Sequence, residues 1–384
     1  MPSTTHDNLA TYRRKRDASK TPEPFGNTAA TPSAAPTPRR LFVVQQHQAS
    51  HLHWDFRLEV DGVLRSWAVP KGPSPNPADK RFAALVEDHP LEYADFEGQI
   101  PEGNYGAGYV IVWDRGTYLE LDDFAHGFHQ GKLLFELHGH KLHGRWTLVR
   151  MKGSKSGAQD GKEWLLIKER DEWAREEYPS DDSVFSGMTL QDMPDPKKVA
   201  RRLQSRIKRL KPVPEIKDAL RIKPMLARPG EAFDRDGWVF EIKYDGYRLL
   251  IEKTADRVVL RSRNGHDLTV SFPELAHSAA RLPYPQFVID GEVVVHDERG
   301  VPSFSLLQKR ARLTGEFAVR EAAIHLPVTY YAFDLPQALG YDLRDVPLTL
   351  RKKLLQSILP STGPVRYSQH IEKNGLSTFE NVTR

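Results

Sequence analysis

Short runs in which apolar and polar residues alternate follow one another between residue 41 and about residue 170. They read LFVVQ, HWDFRLEV, VLRSWAV, GYVIVW, KLLFEL, RWTLV and EWLLIK, with turn-forming residues between them. Alternation with a period of two is typical of strands that are buried on one face. Residues 41–170 are therefore predicted to form an antiparallel, β-barrel-like domain.

The alternation is strict in the run from His53 to Val60. A strand there turns its four apolar side chains to the core and its polar ones to the opposite face, namely His53, Asp55, Arg57 and Glu59. Asp61-Gly62 predicts a two-residue hairpin that sets Phe56 opposite Trp67. The side chains of His53, Asp55 and Arg57 should therefore lie side by side on one face.

Beyond residue 221 the pattern changes, because strand-like runs are mixed with helical stretches. The strands read WVFEI, YRLLIE, RVVLRS, FVIDGEVVV and VTYYAFD, and the helical stretches lie near 304–312 and 348–358. This mixture predicts an α+β domain over 221–384. Residues 171–220 are polar and proline-containing and are predicted to be a linker, and the proline-rich residues 1–40 are predicted to be a flexible basic arm.

Composition narrows the class of protein further. The chain has no cysteine, which excludes disulfides, thiolate nucleophiles and cysteine-held metal clusters. No apolar run approaches the roughly 18 residues that span a bilayer. A cytoplasmic protein is the default expectation, and any metal must bind to His, Asp or Glu.

The formal charge is only +4, but it is unevenly distributed. Residues 196–211 contain eight Lys or Arg and no acid, and their apolar residues recur at helical spacing, namely Val199, Leu203, Ile207 and Leu210. We predict a basic amphipathic helix here. Two uses remain open at this point, a linker helix docked by its apolar stripe and a contact with a phosphate backbone.

A candidate metal site lies on the polar face of the first strands. His47, His53 and Asp55 form a three-ligand set suited to a divalent cation with open positions. Arg57 beside them could grip an anion through its fork of donors. The pattern indicates phosphate chemistry, although the same ligand types also occur in non-haem iron oxygenases.

Several motifs in this half resemble those of the 3′-phosphoesterase domain of bacterial ligase D, the multifunctional ligase of nonhomologous end joining. They are His47-x5-His53-x-Asp55-x-Arg57, SWAVPKGP from Ser66, EDHPLEY from Glu87, FEGxIPEG from Phe96 and WDRG from Trp113. The resemblance implies a manganese-dependent enzyme that trims a 3′-phosphate or 3′-ribonucleotide to a 3′-OH. It also implies that His47, His53 and Asp55 hold the metal, and that the phosphate is handled by Arg57, Arg81, His89 and Tyr93.

The second half contains Lys243-Tyr244-Asp245-Gly246, followed by SRNG from Ser262, Asp290-Gly291-Glu292 and YAFD from Tyr331. In order and spacing these resemble the early motifs of covalent nucleotidyltransferases, specifically the adenylation domain of an ATP-dependent DNA ligase. Such a site needs an amine that has lost its proton before it attacks the α-phosphorus of ATP, which nearby cations and Mg²⁺ or Mn²⁺ favour. The product would be a lysyl-AMP adduct on Lys243.

The same resemblance implies the nucleotide-binding residues. Glu241 would lie at the adenine edge, Phe333 would stack on the base, and Glu292 would contact the ribose or a metal. Arg248 and Arg263 would lie near the ribose and phosphates, and Asp245 would orient the lysine or a metal-held water.

The printed chain stops at Arg384, before the later Glu-Gly and Lys-x-Lys motifs and the OB fold of a complete ligase. The expectation is an incomplete adenylation domain and impaired nick sealing by this chain alone. Expected partners are DNA ends (3′ termini and nicks), an end-binding Ku-type protein, and a separate polymerase or ligase chain, with no membrane. The expected place is the bacterial cytoplasm, at the nucleoid. The alternative is a non-catalytic scaffold that binds DNA ends through the basic helix.

Overall fold

The computed structural model describes residues 8–26, 39–151, 161–210, 213–216 and 222–383. They form two compact units. The first contains the described residues up to Val184 together with Met188–Pro194, and the second contains Phe185–Gly187 and the described residues from Asp195 onward.

The first unit is built around an antiparallel sheet whose strands are β1 (Arg39–Gln48), β2 (Leu52–Val60), β3 (Val63–Val69), β4 (Lys80–Leu85), β5 (His89–Pro90), β6 (Gly98–Ile100), β7 (Gly108–Glu120), β8 (Lys132–Gly139), β9 (His143–Arg150) and β10 (Glu163–Lys168). The order is β1-β2-β3-β4-β10-β9-β8-β7, and β1 also pairs with β7. That last pairing closes eight strands into a barrel, which confirms the predicted fold class of this half.

The hairpin between β2 and β3 has the predicted register, with Phe56 opposite Trp67. Asp61 and Gly62 both have positive φ, as a two-residue turn of this kind requires. Phe56, Trp67, Trp146 and Trp164 are fully buried in the barrel core. Burial of these rings fixes the register, so the polar residues of β2 are held on the outer face.

The pairing of β1 with β7 contains a β-bulge. Val44 lies opposite Asp114 but Gln45 lies opposite Val112, so Trp113 is the extra residue of β7. A bulge bends its strand and re-aims the side chains beside it. This bulge lies two residues from the predicted metal ligand His47.

Residues 8–26 differ from the predicted flexible arm. They contain the short helix α1 (Ala10–Arg14), and Tyr12 is completely buried. The side chains of Arg16 and Glu23 are also almost fully buried. The prediction was wrong for this stretch because its few apolar and charged side chains are buried against the barrel unit. Composition alone does not show such burial. The rest of the predicted arm, 1–7 and 27–38, lies outside the described residues.

Two further short helices belong to this unit, a 3₁₀ helix at Leu91–Asp95 and α2 at Phe124–Gln130. Asp123 caps α2 by accepting a hydrogen bond from the backbone N–H of His126, and Gly131 ends it in the left-handed conformation. The 3₁₀ helix has more bearing on function, because it carries Tyr93.

The second unit is α+β, as predicted. Its strands are β11 (Phe240–Glu241), β12 (Tyr247–Lys253), β13 (Val258–Ser262), β14 (Phe287–Val295), β15 (Val328–Ala338), β16 (Tyr341–Asp342), β17 (Val365–Tyr367) and β18 (His370–Ile371). Six of them form one sheet, β13-β12-β14-β15-β16 with β17 beside β15, and β11 pairs with β18. The helices are α3 (Pro196–Lys208), α4 (Pro273–Arg281), α5 (Phe304–Ala311), α6 (Glu316–His325), α7 (Leu348–Ile358) and α8 (Gly375–Thr383).

The predicted basic helix is α3. Its apolar residues Leu203 and Ile207 are buried in the core of the second unit, next to side chains of the sheet and of α7. This stretch therefore packs as part of the second unit. Within the described parts of the chain, no helix is long and apolar enough to cross a membrane.

Candidate functional site

The barrel unit brings His47, His53 and Asp55 together on its outer face. His47 and His53 are direct register partners across β1 and β2, and Asp55 follows two residues later on the same face. Nδ1 of His47 and Nε2 of His53 each lie 3.7 Å from a carboxylate oxygen of Asp55. One ligand atom from each residue falls within 4.8 Å of the other two, a spacing that a divalent cation can bridge.

Hydrogen bonds to the backbone orient both imidazoles. Nε2 of His47 donates to the carbonyl of Gly106 at 2.8 Å, and Nδ1 of His53 donates to the carbonyl of His51 at 3.0 Å. The other ring nitrogen of each residue faces Asp55. Outer partners of this kind fix the tautomer of metal-binding histidines, so the donor set fits a divalent cation.

Arg57 organises the next layer of the site and is only 1% exposed. Its Nη2 donates to Asp55 at 2.9 Å, Nε donates to Gln45 at 2.8 Å, and Nη1 lies 2.8 Å from Oγ of Ser66 and 2.9 Å from Nδ1 of His89. Burial opposes the charge on Asp55, but Arg57 and the two histidines hold the pKa of this carboxyl well below its usual range. Arg57 thus links the predicted metal ligand Asp55 to His89. The donors of its guanidinium are used within the protein, whereas the sequence predicted that they would face a substrate anion.

His89 and Tyr93 lie side by side beneath this layer, with ring centroids 4.8 Å apart. Burial and the neighbouring guanidinium groups of Arg57 and Arg16 push the pKa of His89 well below its ordinary value. Burial also raises the pKa of Tyr93. At neutral pH the imidazole is therefore uncharged and the phenol keeps its proton.

Residues 8–26 complete the site, which the sequence did not predict. Nη2 of Arg16 lies 3.4 Å from Nε2 of His89, and the Arg16 side chain also pairs with Glu23 at 2.9 Å and Glu87 at 3.3 Å. The hydroxyl of Tyr93 donates to the same Glu23 carboxylate at 3.1 Å. A motif search could not find these residues, because the signal is a contact between segments about seventy positions apart.

Arg81 lies apart from this group. Its guanidinium pairs with Asp79 at 2.9 Å and lies over the ring of Tyr178. On β4 Arg81 is the register partner of Leu166, a core residue. Its side chain therefore points to the core side of the sheet, away from the outer face that carries His47, His53 and Asp55. Its expected contact with phosphate stays a prediction.

The second unit also gathers its polar motif residues on one face of a sheet. Arg248, Glu292 and Tyr331 are register neighbours across β12, β14 and β15. Lys243 lies at the surface in the turn that precedes β12. Gly246 brings this turn against β14, since a Cβ there would lie 2.2 Å from the carbonyl oxygen of Val293.

The carboxyl of Glu292 is electrostatically coupled to this turn. Burial raises the pKa of Glu292 to about 7, while the positive charges of Arg248 and Lys243 act to lower it. The backbone N–H of Gly246 also acts to lower this pKa. The charge of Lys243 therefore acts on Glu292, although the two residues stand far apart in the sequence.

Arg248 is committed to another partner. It makes a two-pronged ion pair with Asp290, at 3.0 Å from Nε and 2.7 Å from Nη2, and its guanidinium lies 5.2 Å from the ring centroid of Phe333. It shares a face with Glu292, but two of its guanidinium donors already bind Asp290. A phosphate or ribose contact by Arg248 stays a prediction.

Glu241 and Phe333 meet through a residue that the sequence reasoning missed, Lys352 of α7. Its ammonium group lies 2.5 Å from the Glu241 carboxylate and donates to the carbonyl of Phe333 at 3.0 Å. The Lys352 side chain is completely buried, whereas Glu241 is 28% exposed. In the sequence Lys352 resembles any helix-surface lysine, so no local signal marks it.

The two remaining predicted residues lie near the surface. Arg263 lines a cavity of about 550 Å³ together with Ile222, Leu250 and Arg261. Asp245 is exposed in the turn after Lys243. The proposed roles of both residues stay predictions.

A stacked pair of tyrosines supports the turn. The rings of Tyr244 and Tyr331 are 4.0 Å apart and nearly parallel, and the Tyr331 hydroxyl lies 3.1 Å from Nε2 of His296. Tyr244 directly follows Lys243. The stack therefore ties the lysine-bearing turn to β15, the strand that carries Phe333.

Comparison with known proteins gives two family matches. Residues 45–150 match the family described as the DNA Ligase D 3′-phosphoesterase domain, and residues 224–384 match the family described as the ATP dependent DNA ligase domain. The first match contains the metal group, and the second contains Lys243 and Glu292.

Individual relatives give the same two-part picture. A multifunctional non-homologous end joining protein LigD of Pseudomonas aeruginosa is 44% identical over 94% of this chain, and a LigD DNA repair protein of Mycobacterium tuberculosis is 38% identical over 93%. The chain spans 42% and 39% of their respective lengths. DNA ligase 1 of Schizosaccharomyces pombe is 31% identical over 41% of the chain and 22% of its own length. Among solved structures, mycobacterial DNA ligase D complexed with ATP and MES is 31% identical, covering 43% of this chain and 52% of that one with a TM-score of 0.35.

Proposed function

We propose that this chain, which is similar to LigD proteins and matches the 3′-phosphoesterase and ATP-dependent DNA ligase families over separate halves, repairs the ends of DNA double-strand breaks. The phosphoesterase domain, residues 41–170, would convert a 3′-phosphate or 3′-ribonucleotide to a 3′-OH. The ligase domain, residues 221–384, would supply an adenylated lysine, and residues 171–220 would join the two. The names of the relatives, which are end-joining and DNA repair proteins, support this proposal.

The observation that carries the first activity is the group formed by His47, His53 and Asp55. Two imidazoles and one carboxylate suit a divalent first-row metal, and we propose Mn²⁺ as the native ion. When bound, such an ion supplies Lewis acidity toward a phosphoryl oxygen.

The protein's own residues have distinct proposed tasks around it. Arg57 holds Asp55 and His89 in place through hydrogen bonds of 2.9 Å to each. The neutral imidazole of His89 can accept or return a proton beside the phosphate, whereas Tyr93 keeps its proton and positions Glu23 by donating to it. Arg16 adds positive charge on the far side of His89, where it would stabilise the charge that builds on phosphate oxygens.

The test is removal of a 3′-phosphate from a DNA primer with Mn²⁺ present. His53→Ala should abolish the reaction and weaken Mn²⁺ binding, measured independently by electron paramagnetic resonance. His51→Ala is the matched control, because His51 is exposed and contributes only its backbone carbonyl to His53. Full activity in His53→Ala would refute the assignment.

For the second unit, we propose that ATP and Mg²⁺ or Mn²⁺ bind on the polar face of the sheet. The unprotonated Nζ of Lys243 attacks the α-phosphorus, a P–N bond forms, the bond to the bridging oxygen breaks, and pyrophosphate leaves. Glu241 and Phe333 would contact the base, Arg263 and Arg248 the ribose or phosphates, and Glu292 the ribose or metal. Asp245 would orient the lysine.

This second activity is tested with ATP labelled at the α-phosphate. Wild-type protein should retain label through denaturing gel electrophoresis, and Lys243→Ala should not. Lys373→Ala, an exposed lysine of the same unit, is the control. Equal labelling of all three proteins would contradict the role of Lys243.

Partners and location follow from the same proposal. DNA 3′ termini and nicks are the substrates, and an end-binding Ku-type protein and a separate polymerase or ligase chain would act with it. The relatives are named as multifunctional end-joining proteins, which supports such an assembly. We place its work at the bacterial nucleoid.

A further inference from the structure

The outer face of α3 is strongly basic, and we propose that it binds the phosphate backbone of duplex DNA. The helix carries Lys197, Lys198, Arg201, Arg202, Arg206 and Lys208, with Arg209 at its C-cap, and contains no acidic residue. This proposal rests on the proposed function only for the identity of the anion. It assigns a surface that lies outside both catalytic groups.

The cations share one face of the helix. Lys198, Arg201, Arg202, Arg206 and Arg209 recur at steps of three and four residues and, with Ser205, line an open groove of about 370 Å³. The opposite stripe is buried, with Leu203 only 3% and Ile207 only 1% exposed. Since the apolar stripe is already packed in the core, it is not available to enter a lipid surface, and the basic face alone is presented to solvent.

The stability of the helix does not explain these charges. Lys197 and Lys198 lie in the first turn, at the positive end of the helix dipole, where cations are unfavourable. Lys198 and Arg202, and then Arg202 and Arg206, are like charges four residues apart, which repel. Asp195 offsets part of this by capping the helix and pairing with Arg201.

The dimensions favour a regular polyanion. Thirteen residues make a helix about 20 Å long, since each adds about 1.5 Å. Each strand of duplex DNA carries one phosphate per about 3.4 Å of duplex axis, so a segment as long as α3 presents several phosphates to it. The five groove-lining cations are spread over residues 198–209, so they can meet several phosphates of one duplex at once.

The experiment measures how the affinity for a short DNA duplex depends on KCl concentration, by fluorescence anisotropy. The test variant of the full chain changes Lys198, Arg201, Arg202 and Arg209 to Gln, which removes four charges and keeps good helix formers. Arg206 is left intact because it bonds to Ser357 and to the carbonyl of Lys353. The control variant changes four exposed cations elsewhere in the same unit to Gln, namely Arg257, Arg299, Arg320 and Lys373.

Each phosphate contact contributes about 0.9 to the slope of log affinity against log salt, so losing four should flatten the slope by about 3.6. The control variant should keep the wild-type slope, and circular dichroism should show equal helix content in all three. Equal slopes for the two variants would overturn the proposal and point to another partner, such as an acidic protein. Labelling of Lys243 by ATP needs no DNA, so failure of the proposed ligase chemistry is read separately from failure of this surface.

Discussion

Arg57 donates to Asp55 through Nη2 at 2.9 Å, and both side chains are almost completely buried. The two residues are two positions apart on one strand, so their side chains share a face and their contact follows from the geometry of β2. It makes the charge on the predicted metal ligand dependent on a residue that is not itself a ligand.

We therefore expect Arg57→Lys to weaken metal binding. A lysine cannot reach Asp55, Gln45 and Ser66 at once as the guanidinium does. Loss of a partner that orients a metal ligand typically lowers metal affinity by about 10- to 100-fold. Calorimetric titration with Mn²⁺ measures this directly, and Arg65→Lys is the control, since Arg65 pairs with Asp88 instead. Unchanged affinity in Arg57→Lys would show that Asp55 does not need this partner.

Packing of residues 8–26 predicts a large effect of Tyr12→Ala. Tyr12 is completely buried, its hydroxyl donates to the carbonyl of Pro24 at 2.7 Å, and its ring meets His89 edge to face. Truncating a buried aromatic side chain costs about 3–5 kcal/mol. Urea denaturation measures the loss, with Tyr105→Ala as the control because Tyr105 is 50% exposed. If residues 8–26 were a flexible arm, Tyr12→Ala would change the free energy of unfolding by less than about 0.5 kcal/mol.

The pKa of Glu292 predicts a pH-dependent stability. Burial raises this pKa to about 7 from its ordinary value of 4.5, so in that window the folded protein holds a proton that the unfolded chain has released. Stability should therefore fall as pH rises from 4.5 to about 7, and Glu292→Gln should remove this component. Thermal unfolding of both proteins on either side of the window tests it. Glu298→Gln, at an exposed position, should retain the wild-type pH dependence.

The pair formed by Glu241 and Lys352 predicts unequal effects of its two single substitutions. Glu241→Gln leaves a completely buried ammonium without its carboxylate, which costs about 3 kcal/mol or more. Lys352→Met leaves Glu241, which solvent partly reaches, and should cost less. Chemical denaturation of both variants measures the difference. As a reference, breaking the exposed pair of Arg320 and Glu316 should change stability by less than about 1 kcal/mol.

Features set by neighbours along one strand or across one hairpin could be predicted from the sequence. The alternation from His53 to Val60 predicted which side chains share a face, and Asp61-Gly62 predicted the register of Phe56 with Trp67. The motif residues Arg248 and Glu292 are register partners across β12 and β14, whereas the shared role of Lys243 and Glu292 stays a prediction. In each case a short-range rule fixed the geometry.

The features that escaped prediction depend on contacts between distant segments. Arg16 meets His89 across seventy-three positions, from a stretch whose composition is typical of disorder. Lys352 meets Glu241 across one hundred and eleven positions, and Arg248 pairs with Asp290 across forty-two. Which charged side chain becomes buried, and with which partner, is decided by tertiary packing.

The bulge at Trp113 limits which sequence changes β7 can accept in evolution. Because one additional residue separates the partners of Val44 and Gln45, adding or deleting a residue there would slide one half of β7 against β1 by a full step. Such a slip reverses which side chains point inward, and it would disturb the strand on which His47 and Gln45 stand. Substitutions within β7 need only preserve volume and polarity, whereas its length is fixed, so gene variants that alter length should be far rarer here than in the loops.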